Sequence, residues 1–314
     1  MELFPGVHRI ESVFGGRLLF QYLFAGDRIV LVDTGIGSTP HEAIFFYLEE
    51  IGISAKSISM VIITHPDLDH HGGVSAIKDA SPNAVLACGR QDAAEIEDKE
   101  VLYRKRYNFL AERHGLGFGR EAMSLCPGTR KMEVLFKGNE RIELAPGRAL
   151  ETWHVPGHSA GHLALYDAKH RAVFTSDAVQ GNGYPTVEGG MAFGPTYYVV
   201  SSYLSTIAFL EQQPIEHLFG GHWPAMHGPE VGRFLARSRS FVQRADELIV
   251  AFLKNHTRGA TLREILYAIN PRLGDWPQDA APFLQFAAYG HVSALCQAKR
   301  VKASDESPVR YRLA

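Results

Sequence analysis

Short apolar runs, most of them followed by glycine, proline or a polar side chain, recur along the chain up to about residue 225. Runs of this length that are rich in β-branched and aromatic residues and bounded by turn residues are typical of strands. The pattern predicts strands at Val7 to Val13, Leu18 to Phe24, Ile29 to Val32, Met60 to Ile63, Ala84 to Ala87, Arg141 to Leu144, Ala149 to Val155, Leu163 to Tyr166, Ala172 to Thr175 and Ile215 to Phe219.

Between the first strands, the apolar positions change to helical spacing. Thr39 and Glu42 predict a capping box, and Pro40 suits the first helical position. Gly52 ends this helix, and a second helical pattern runs from Val74 to about Ala80. Because strands and helices alternate, the pattern indicates a layered α/β domain.

The pattern changes between Gln91 and about Met132, where charged residues surround isolated apolar positions. We interpret this segment as a helical insertion that ends in the glycine-rich, partly aromatic loop Gly115 to Gly119. Two interpretations stay open: the insertion is a lid or substrate wall, or it is a solvated excursion on the surface.

The last part of the chain predicts three helices and a hairpin. The helices cover Glu230 to Asn255, Thr261 to Ile269 with Thr261 and Glu264 as a capping box, and about Pro282 to Lys299. The hairpin covers Val301 to Leu313. This succession resembles a winged-helix module.

Two domains follow from this organisation: a catalytic domain, 1–227, that contains the insertion at about 91–132, and a small C-terminal domain, 228–314.

Composition and charge serve mainly to exclude classes of protein. A formal net charge of −2 gives no overall attraction to nucleic acid or to acidic membranes. No apolar stretch approaches the roughly 20 residues of a spanning helix, and the N-terminus lacks the pattern of a secretory signal. Cys88, Cys126 and Cys296 are too far apart to suggest a disulfide framework or a thiolate metal site. We therefore expect a cytoplasmic protein of enzyme size.

The most informative stretch is Thr64 to Gly73, Thr-His-Pro-Asp-Leu-Asp-His-His-Gly-Gly, directly after the predicted strand Met60 to Ile63. It carries five side chains that can bind metal. Pro66 favours an extended backbone before it, which would place every second side chain on one side. His158, Asp177 and His222 also follow short strands, at the strand ends where α/β folds gather their chemistry. The residues themselves predict a metal centre.

This stretch resembles the metallo-β-lactamase superfamily signature Thr-His-x-His-x-Asp-His-x-Gly-Gly, except that Asp67 stands where the second histidine is usual. The resemblance extends over roughly residues 5–225 through the Pro-Gly-His, Ser-Asp and Gly-Gly-His motifs around His158, Asp177 and His222. It implies an α/β fold, the four-layer αββα sandwich of this superfamily, here followed by a small winged-helix-like domain.

The resemblance also implies a ligand set for two divalent metal ions. His65, Asp67 and His158 would hold the first ion; Asp69, His70 and His222 would hold the second, and Asp177 would bridge them. Zinc is usual in the family, and the Asp67 carboxylate favours iron or manganese relative to a three-histidine site. Asp33 in Val-Asp-Thr-Gly matches a further family position, which we interpret as a support for the ligands.

The implied chemistry is hydrolysis of a carboxylic acid derivative (a lactone, ester, thioester or amide) by a hydroxide that bridges the two ions. Asp177 and Asp69 are the expected catalytic carboxylates. Asp69 or a nearby tyrosine would protonate the leaving group, and the candidates are Tyr184, Tyr197 and Tyr198. We interpret His71, His154, His162 and His227 as structural or supporting residues.

Two other classes stay open. A metal-dependent nuclease would use the winged-helix-like tail, although the slightly acidic chain and the apolar segments near the motifs argue against nucleic acid. A di-iron redox protein would normally also need a flavodoxin-like domain, which the pattern lacks. We expect a small-molecule substrate, no membrane association and a possible homodimer.

Overall fold

The structure is a computed structural model that describes all 314 residues. Its first sheet contains seven strands in the order β1-β2-β3-β4-β5-β6-β7. Strands β1 to β4 pair antiparallel, whereas β4 to β7 pair parallel. The carboxyl ends of β4 and β5 therefore lie side by side, each with a polar stretch directly after it. The strands are β1 (Glu2–Phe4), β2 (Val7–Phe14), β3 (Arg17–Ala25), β4 (Ile29–Val32), β5 (Ile58–Ile63), β6 (Val85–Gly89) and β7 (Val134–Phe136).

The second sheet contains six strands in the order β15-β14-β11-β10-β9-β8. Its only parallel pair is β11 with β14, so the residues that follow these two strands also emerge side by side. The strands are β8 (Arg141–Ala145), β9 (Arg148–His154), β10 (Leu163–Asp167), β11 (Ala172–Ser176), β14 (His217–Gly220) and β15 (Met226–His227); a separate hairpin joins β12 (Tyr184–Pro185) and β13 (Met191–Phe193).

The two sheets pack face to face through aromatic side chains. Phe24 of the first sheet meets Phe174 of the second at a ring-centroid distance of 4.9 Å, and Phe174 stacks on Phe219 at 5.0 Å. The Tyr22 hydroxyl donates a hydrogen bond across the interface to the Gly220 carbonyl (2.6 Å). This buried layer holds the two sets of strand ends at one edge of the sandwich.

Helices cover both outer faces. Ile44, Leu48 and Ile77 pack on the first sheet, and Ile207 and Phe234 pack on the second. The molecule is therefore the layered α/β sandwich that the sequence predicts. The helices are α1 (Phe45–Glu50), α2 (Leu68–His71), α3 (Val74–Ala80), α4 (Ala93–Glu97), α5 (Lys99–Leu102), α6 (Ala111–His114), α7 (Val200–Glu211), α8 (Pro229–Lys254), α9 (Leu262–Leu273) and α10 (Gln285–Gln297), with π-helical turns Pro40–Ile44 and Tyr103–Tyr107 and 3-10 turns Ala55–Ser57, Arg120–Leu125 and Gln278–Leu284.

The helical turn after Thr39 begins at Pro40 as predicted, but the predicted capping box of Thr39 and Glu42 is wrong. Thr39 has helical dihedral angles, and its hydroxyl accepts from the Ile36 amide (3.1 Å) and does not cap the helix. The Ser38 hydroxyl donates to Glu42 instead (2.9 Å). The capping box at Thr261 and Glu264 is confirmed.

The C-terminal region consists of α8, α9, α10 and a small sheet of β16 (Ala260–Thr261), β18 (Arg310–Leu313) and β17 (Val301–Ala303). The predicted hairpin is present as the antiparallel pair β17–β18. Buried residues of α8 to α10 belong to the same hydrophobic cluster as the outer face of the second sheet. The helical tail is therefore packed onto the sandwich; the winged-helix identity and the boundary at residue 228 stay predictions.

No helix combines the length and the hydrophobicity that crossing a membrane would require.

Candidate metal centre

The candidate centre lies where the strand ends of the two sheets meet. His65 and Asp67 follow β5, Asp67 has extended backbone angles, and α2 then begins at Leu68. The extended spacing expected for His65, Asp67 and Asp69 therefore stops at Asp67, because Asp69 and His70 already lie on the helical turn. Ser176, at the end of β11, has a left-handed φ of +46° that turns the chain sharply before Asp177.

One cluster, formed by Asp69, His70, Asp177 and His222, has the spacing of a metal site. His70 Nε2 lies 3.2 Å from His222 Nε2, and Asp177 places one oxygen 3.6 Å from His70 Nε2 and the other 3.5 Å from His222 Nε2. Asp69 Oδ2 lies 3.5 Å from His222 Nε2. Four ligands at about 2.0–2.1 Å from a tetrahedral ion are about 3.3 Å apart, so these residues fit a divalent metal ion.

The imidazoles of this cluster are oriented by acceptors on their other nitrogen. His70 Nδ1 donates to Asp33 (2.9 Å), and His222 Nδ1 donates to the Leu18 carbonyl (2.7 Å). Because an acceptor holds Nδ1 of each ring, Nε2 of each ring is directed into the cluster, which is how metal-binding histidines are usually held.

Asp33, at the end of β4, organises these ligands without reaching the cluster itself. It has a left-handed φ of +60° and is buried. Its carboxylate accepts from the Thr64 amide (2.8 Å), the Thr64 hydroxyl (2.8 Å), His70 Nδ1 (2.9 Å) and the Ser176 hydroxyl (3.0 Å). The Thr64 hydroxyl in turn lies 3.0 Å from His65 Nδ1. These contacts are those expected of the supporting role predicted for Asp33, which stays a prediction.

The other predicted ligands, His65, Asp67 and His158, also lie together, but a buried arginine joins them. Asp67 Oδ2 lies 3.5 Å from His65 Nε2 and 2.9 Å from His158 Nε2. Arg106 Nε donates to Asp67 Oδ1 (2.5 Å), and Arg106 Nη2 lies 3.1 Å from His158 Nε2. The Tyr107 hydroxyl donates to the same Asp67 oxygen (3.1 Å).

Sequence reasoning missed Arg106 because it stands in the charged run Arg104-Lys105-Arg106, in which its two neighbours are exposed. It also missed Asp92, which holds the loop after His158: the carboxylate accepts from the Ser159 hydroxyl (2.5 Å) and the Gly161 amide (2.7 Å). No local motif marks either residue.

The pKa values of the clustered groups are shifted in different directions. Burial raises the pKa of Asp177 to about 6, against the opposing effect of His70. Burial alone would lower the pKa of His70, but the Asp177 and Asp33 carboxylates raise it to about 10. Burial lowers the pKa of His222 to about 3. Burial opposes ionisation of Asp67, yet the Arg106 guanidinium and His158 hold its pKa well below the usual range.

A largely apolar cavity of about 330 Å³ opens beside Asp69, Asp177 and His158. Its walls come from the β2–β3 turn, the insertion, the segment between β11 and α7, and the C-terminal tail. The wall residues that carry aromatic or long apolar side chains are Phe14, Leu68, Tyr107, Phe118, Leu125, Tyr184, Phe193, Tyr198, Phe283 and Phe286. The insertion is therefore, at least in part, a wall of the cavity.

The three candidate tyrosines are distinguished by position. Tyr184 lines the cavity, and its hydroxyl donates to Asp177 Oδ2 (2.8 Å). The Tyr197 hydroxyl is buried against His291 Nε2 (2.6 Å), away from the cavity. Tyr198 lines the cavity with its ring and packs on the Arg106 guanidinium (4.6 Å).

The four histidines interpreted as structural or supporting have internal partners. His162 stacks on His65 at 4.6 Å, and its Nε2 lies 3.1 Å from the Thr175 carbonyl. His71 Nδ1 lies 3.0 Å from the Asp67 carbonyl. His154 contacts the Ala160 carbonyl, and His227 contacts His217.

Comparisons with known proteins place the domain that contains this centre in a family. A family model described as "Metallo-beta-lactamase superfamily" matches residues 18–222. Acyl-coenzyme A thioesterase MBLAC2 of Gallus gallus is 26% identical over 262 residues, which cover 76% of this chain and 84% of that protein. Atrochrysone carboxyl ACP thioesterase of Aspergillus chevalieri is 22% identical over 273 residues, covering 83% of this chain and 71% of that protein.

Two solved structures are similar to this chain over nearly its whole length, including the C-terminal region. A metallo-beta-lactamase family protein of Thermus thermophilus matches with a TM-score of 0.76 at 18% identity, covering 99% of this chain and 100% of its own. A beta-lactamase domain protein of Burkholderia ambifaria matches with a TM-score of 0.75 at 20% identity, covering 100% and 93%. At these identities the likeness shows a shared fold.

Proposed function

The chain belongs to the metallo-beta-lactamase superfamily, and we propose that it is a metal-dependent hydrolase of acyl derivatives, with thioesters as its principal substrates. The observation that carries the proposal is the apolar cavity of about 330 Å³ that opens directly onto Asp69 and Asp177. A concave, aromatic-lined site with a few convergent polar groups suits an acyl group whose carbonyl must reach those groups. The similarity to proteins named as thioesterases supports the same class.

In this proposal Asp69, His70, Asp177 and His222 hold a divalent ion. When bound, such an ion acidifies water near neutral pH and withdraws charge from a carbonyl oxygen. Asp33 keeps His70 in the tautomer that can bind it, because the Nδ1 proton is committed to the carboxylate (2.9 Å). Zinc, manganese and iron all accept this mixture of imidazole and carboxylate ligands.

Tyr184 is the side chain best placed to hold a proton for the leaving group. Its hydroxyl lies 2.8 Å from Asp177 Oδ2, and the residue is part of the cavity wall. Burial and the Asp177 carboxylate raise the pKa of Tyr184 well above its ordinary value, so the hydroxyl stays protonated at neutral pH.

The acyl chain is expected to lie against aromatic residues of the insertion and the tail. Phe118 from the insertion contacts Phe283 and Phe286 from the tail at centroid distances of 5.1 Å and 5.7 Å. Phe283 also stacks on Phe193 at 4.2 Å. These four rings form a continuous apolar wall.

The test is a hydrolysis panel with metal-loaded protein. We expect acyl-CoA thioesters and activated esters to be hydrolysed, and RNA, DNA and phosphodiesters not to be. Asp177→Asn should abolish turnover, whereas Asp167→Asn, a change at a carboxylate that is equally buried but distant from the centre, should leave it intact. Cleavage of RNA or DNA that is lost in Asp177→Asn, with no acyl substrate hydrolysed, would overturn the proposal in favour of a nuclease.

A further inference from the structure

Arg17 is the only arginine or lysine among the residues that line the apolar cavity. It is the first residue of β3 and is 8% exposed. The two residues before it, Gly15 and Gly16, have φ of +54° and +72°, the geometry of a tight hairpin turn, which pairs Arg17 with Phe14. Both members of this pair line the cavity, so the hairpin brings one cation into a wall that is otherwise mainly apolar or acidic.

The hairpin that carries Arg17 is tied to the loop of a candidate metal ligand. The carbonyl of the next residue, Leu18, lies 2.7 Å from His222 Nδ1. The Phe20 amide donates to the Gly221 carbonyl (2.8 Å), which directly precedes the same histidine. The start of β3 is therefore held beside the centre by two hydrogen bonds, and these contacts fix the place from which the Arg17 side chain extends.

The Arg17 guanidinium lacks the partners of a structural arginine. Its single hydrogen bond is a long one, from Nη1 to the Gly15 carbonyl (3.5 Å), and its Nε is buried without a partner. Nη2 lies 3.9 Å from Asp69 Oδ2, which is too far for a hydrogen bond. The rings of Phe193 and Phe14 contact the guanidinium at 4.7 Å and 5.4 Å. A ring face attracts a cation but offers no oxygen lone pair, so the Nη donors stay available.

A purely structural role would be to neutralise Asp69. The same Asp69 oxygen, however, lies 3.5 Å from His222 Nε2, within the candidate metal cluster, where an ion would compensate its charge. Arg17 would then keep a positive charge without a partner in a mainly apolar cavity, and a charge buried in this way is costly. A carboxylate that enters the cavity would supply the missing partner, because a carboxylate accepts two parallel N–H bonds from a guanidinium.

We propose that Arg17 binds a carboxylate of the substrate and thereby selects acyl derivatives that carry a negative charge within a few bonds of the carbonyl that is hydrolysed. The short spacing follows from the 3.9 Å between the guanidinium and Asp69, a carboxylate of the candidate metal centre. The rest of the acyl group still reaches the aromatic wall, because Phe193 contacts both the guanidinium (4.7 Å) and Phe283 (4.2 Å). The inference rests on the proposed function for the acyl class, and it adds the charge that the acyl group carries.

The first experiment compares charged and neutral acyl groups. Metal-loaded protein is assayed on N-acetylcysteamine thioesters of malonate, succinate and glutarate, and on those of propionate, butyrate and pentanoate, which match them in carbon number. The uncharged leaving group keeps the phosphates of coenzyme A out of the comparison. We expect the best dicarboxylic thioester to exceed its neutral counterpart in kcat/KM by about 10–100-fold, mainly through KM, as for a hydrogen bond between charged groups. Neutral thioesters that are hydrolysed as well as all three charged ones would overturn the proposal.

The second experiment removes the guanidinium. Arg17→Met keeps a long apolar side chain and should lower the preference for the charged thioester at least about tenfold, with bound metal unchanged in elemental analysis. Arg17→Lys keeps the charge without the planar fork and should retain part of the preference. Arg9→Met is the matched control, because Arg9 also packs on a phenylalanine (Phe20, 4.2 Å) but does not line the cavity, and it should retain the full preference. Equal losses for charged and neutral thioesters in Arg17→Met, or loss of its metal, would assign Arg17 to the support of Asp69 and refute the inference.

Binding without turnover separates this inference from the proposed function. Calorimetric titration of metal-loaded protein with two keto acids, 4-oxooctanoic acid and 5-oxononanoic acid, is compared with titration by the neutral ketones octan-4-one and nonan-5-one, none of which can be hydrolysed. We expect at least one keto acid to bind about tenfold or more tightly than its ketone, and this difference to shrink in Arg17→Lys and disappear in Arg17→Met. Such binding with no thioester hydrolysed would refute the proposed function alone. A keto-acid preference that is absent in wild type, or that persists in Arg17→Met, would refute the carboxylate site.

Discussion

Replacement of Asp33 by asparagine tests whether the fold, and not only the ligands, prepares the metal site. Asp33 is 3% exposed and accepts four short hydrogen bonds. Asparagine has nearly the same shape but exchanges one acceptor oxygen for an NH₂ donor. Every neighbour of the carboxylate is a donor: Thr64 through its amide and hydroxyl, His70 through Nδ1, and Ser176 through its hydroxyl.

The size of the expected loss of metal affinity depends on which hydrogen bond of residue 33 is lost. If the amide nitrogen takes the position next to His70 Nδ1, the two hydrogens collide, and the ring is free to move its proton to Nε2, where it blocks metal binding. Loss of such a supporting acceptor typically lowers metal affinity by about 10–100-fold, or about 1.4–2.7 kcal/mol. If the nitrogen faces Thr64 instead, the support of His65 is lost and the strand-end turn is weakened.

The assay is a competition titration of apoprotein with zinc against a chromophoric chelator, together with thermal unfolding of the apoprotein. Asp167→Asn is the matched control, because Asp167 is 1% exposed and accepts from His170 Nδ1 (2.8 Å) and the Lys169 amide (3.1 Å), far from the centre. We expect both variants to lose stability but only Asp33→Asn to lose zinc affinity. Equal zinc affinity in Asp33→Asn and wild type, or equal losses in both variants, would refute the reasoning.

Three further changes address the cavity and the centre. Tyr184→Phe should lower kcat for thioesters by about 10–100-fold with metal content unchanged, since it removes the hydrogen bond to the metal-site carboxylate. An unchanged kcat would count against a role of Tyr184 in turnover. Phe283→Ala should raise KM for a long-chain thioester by about tenfold but not for the acetyl thioester, because it removes roughly one side chain of apolar contact, and Phe118→Ala should behave likewise; equal effects on both chain lengths would contradict this. Asp67→His should lower the free energy of unfolding by about 3–5 kcal/mol, because it leaves the buried Arg106 unpaired, and adding Arg106→Met should restore much of that loss in chemical denaturation; no rescue would rule out an unpaired charge as the cause.

The parts of the centre that follow strand ends could be predicted from the sequence. His65, Asp177 and His222 each come directly after a short apolar run, and parallel neighbours bring such run ends to one edge of a sheet. The capping box at Thr261 was equally predictable, because both partners lie within one turn. These features depend on residues close together in the sequence.

The residues that surround the predicted ligands depend on long-range contacts, which the local pattern does not contain. Arg106 is one of three consecutive basic residues, and only its pairing with Asp67, 39 residues away, separates it from its exposed neighbours. Asp92 has no motif of its own, since its partners Ser159 and Gly161 lie 67 and 69 residues away in the sequence. The helix cap predicted at Thr39 is wrong for a related reason: the Thr39 hydroxyl accepts a hydrogen bond from the Ile36 amide in the preceding turn.

The cavity indicates how substrate specificity can differ between proteins that share the same superfamily core. The metal-site carboxylates Asp69 and Asp177 lie on α2 and directly after β11. The rings of Phe118 and Phe283 come from the insertion and the tail, which lie outside the metal motifs. The tail shares one continuous hydrophobic cluster with the outer face of the second sheet, so its position relative to the cavity is held by core packing. Changes in the insertion or the tail can therefore reshape the acyl wall while Asp33 and the ligands it supports stay in place. Substrate choice and metal binding are, on this argument, separable properties of the same centre.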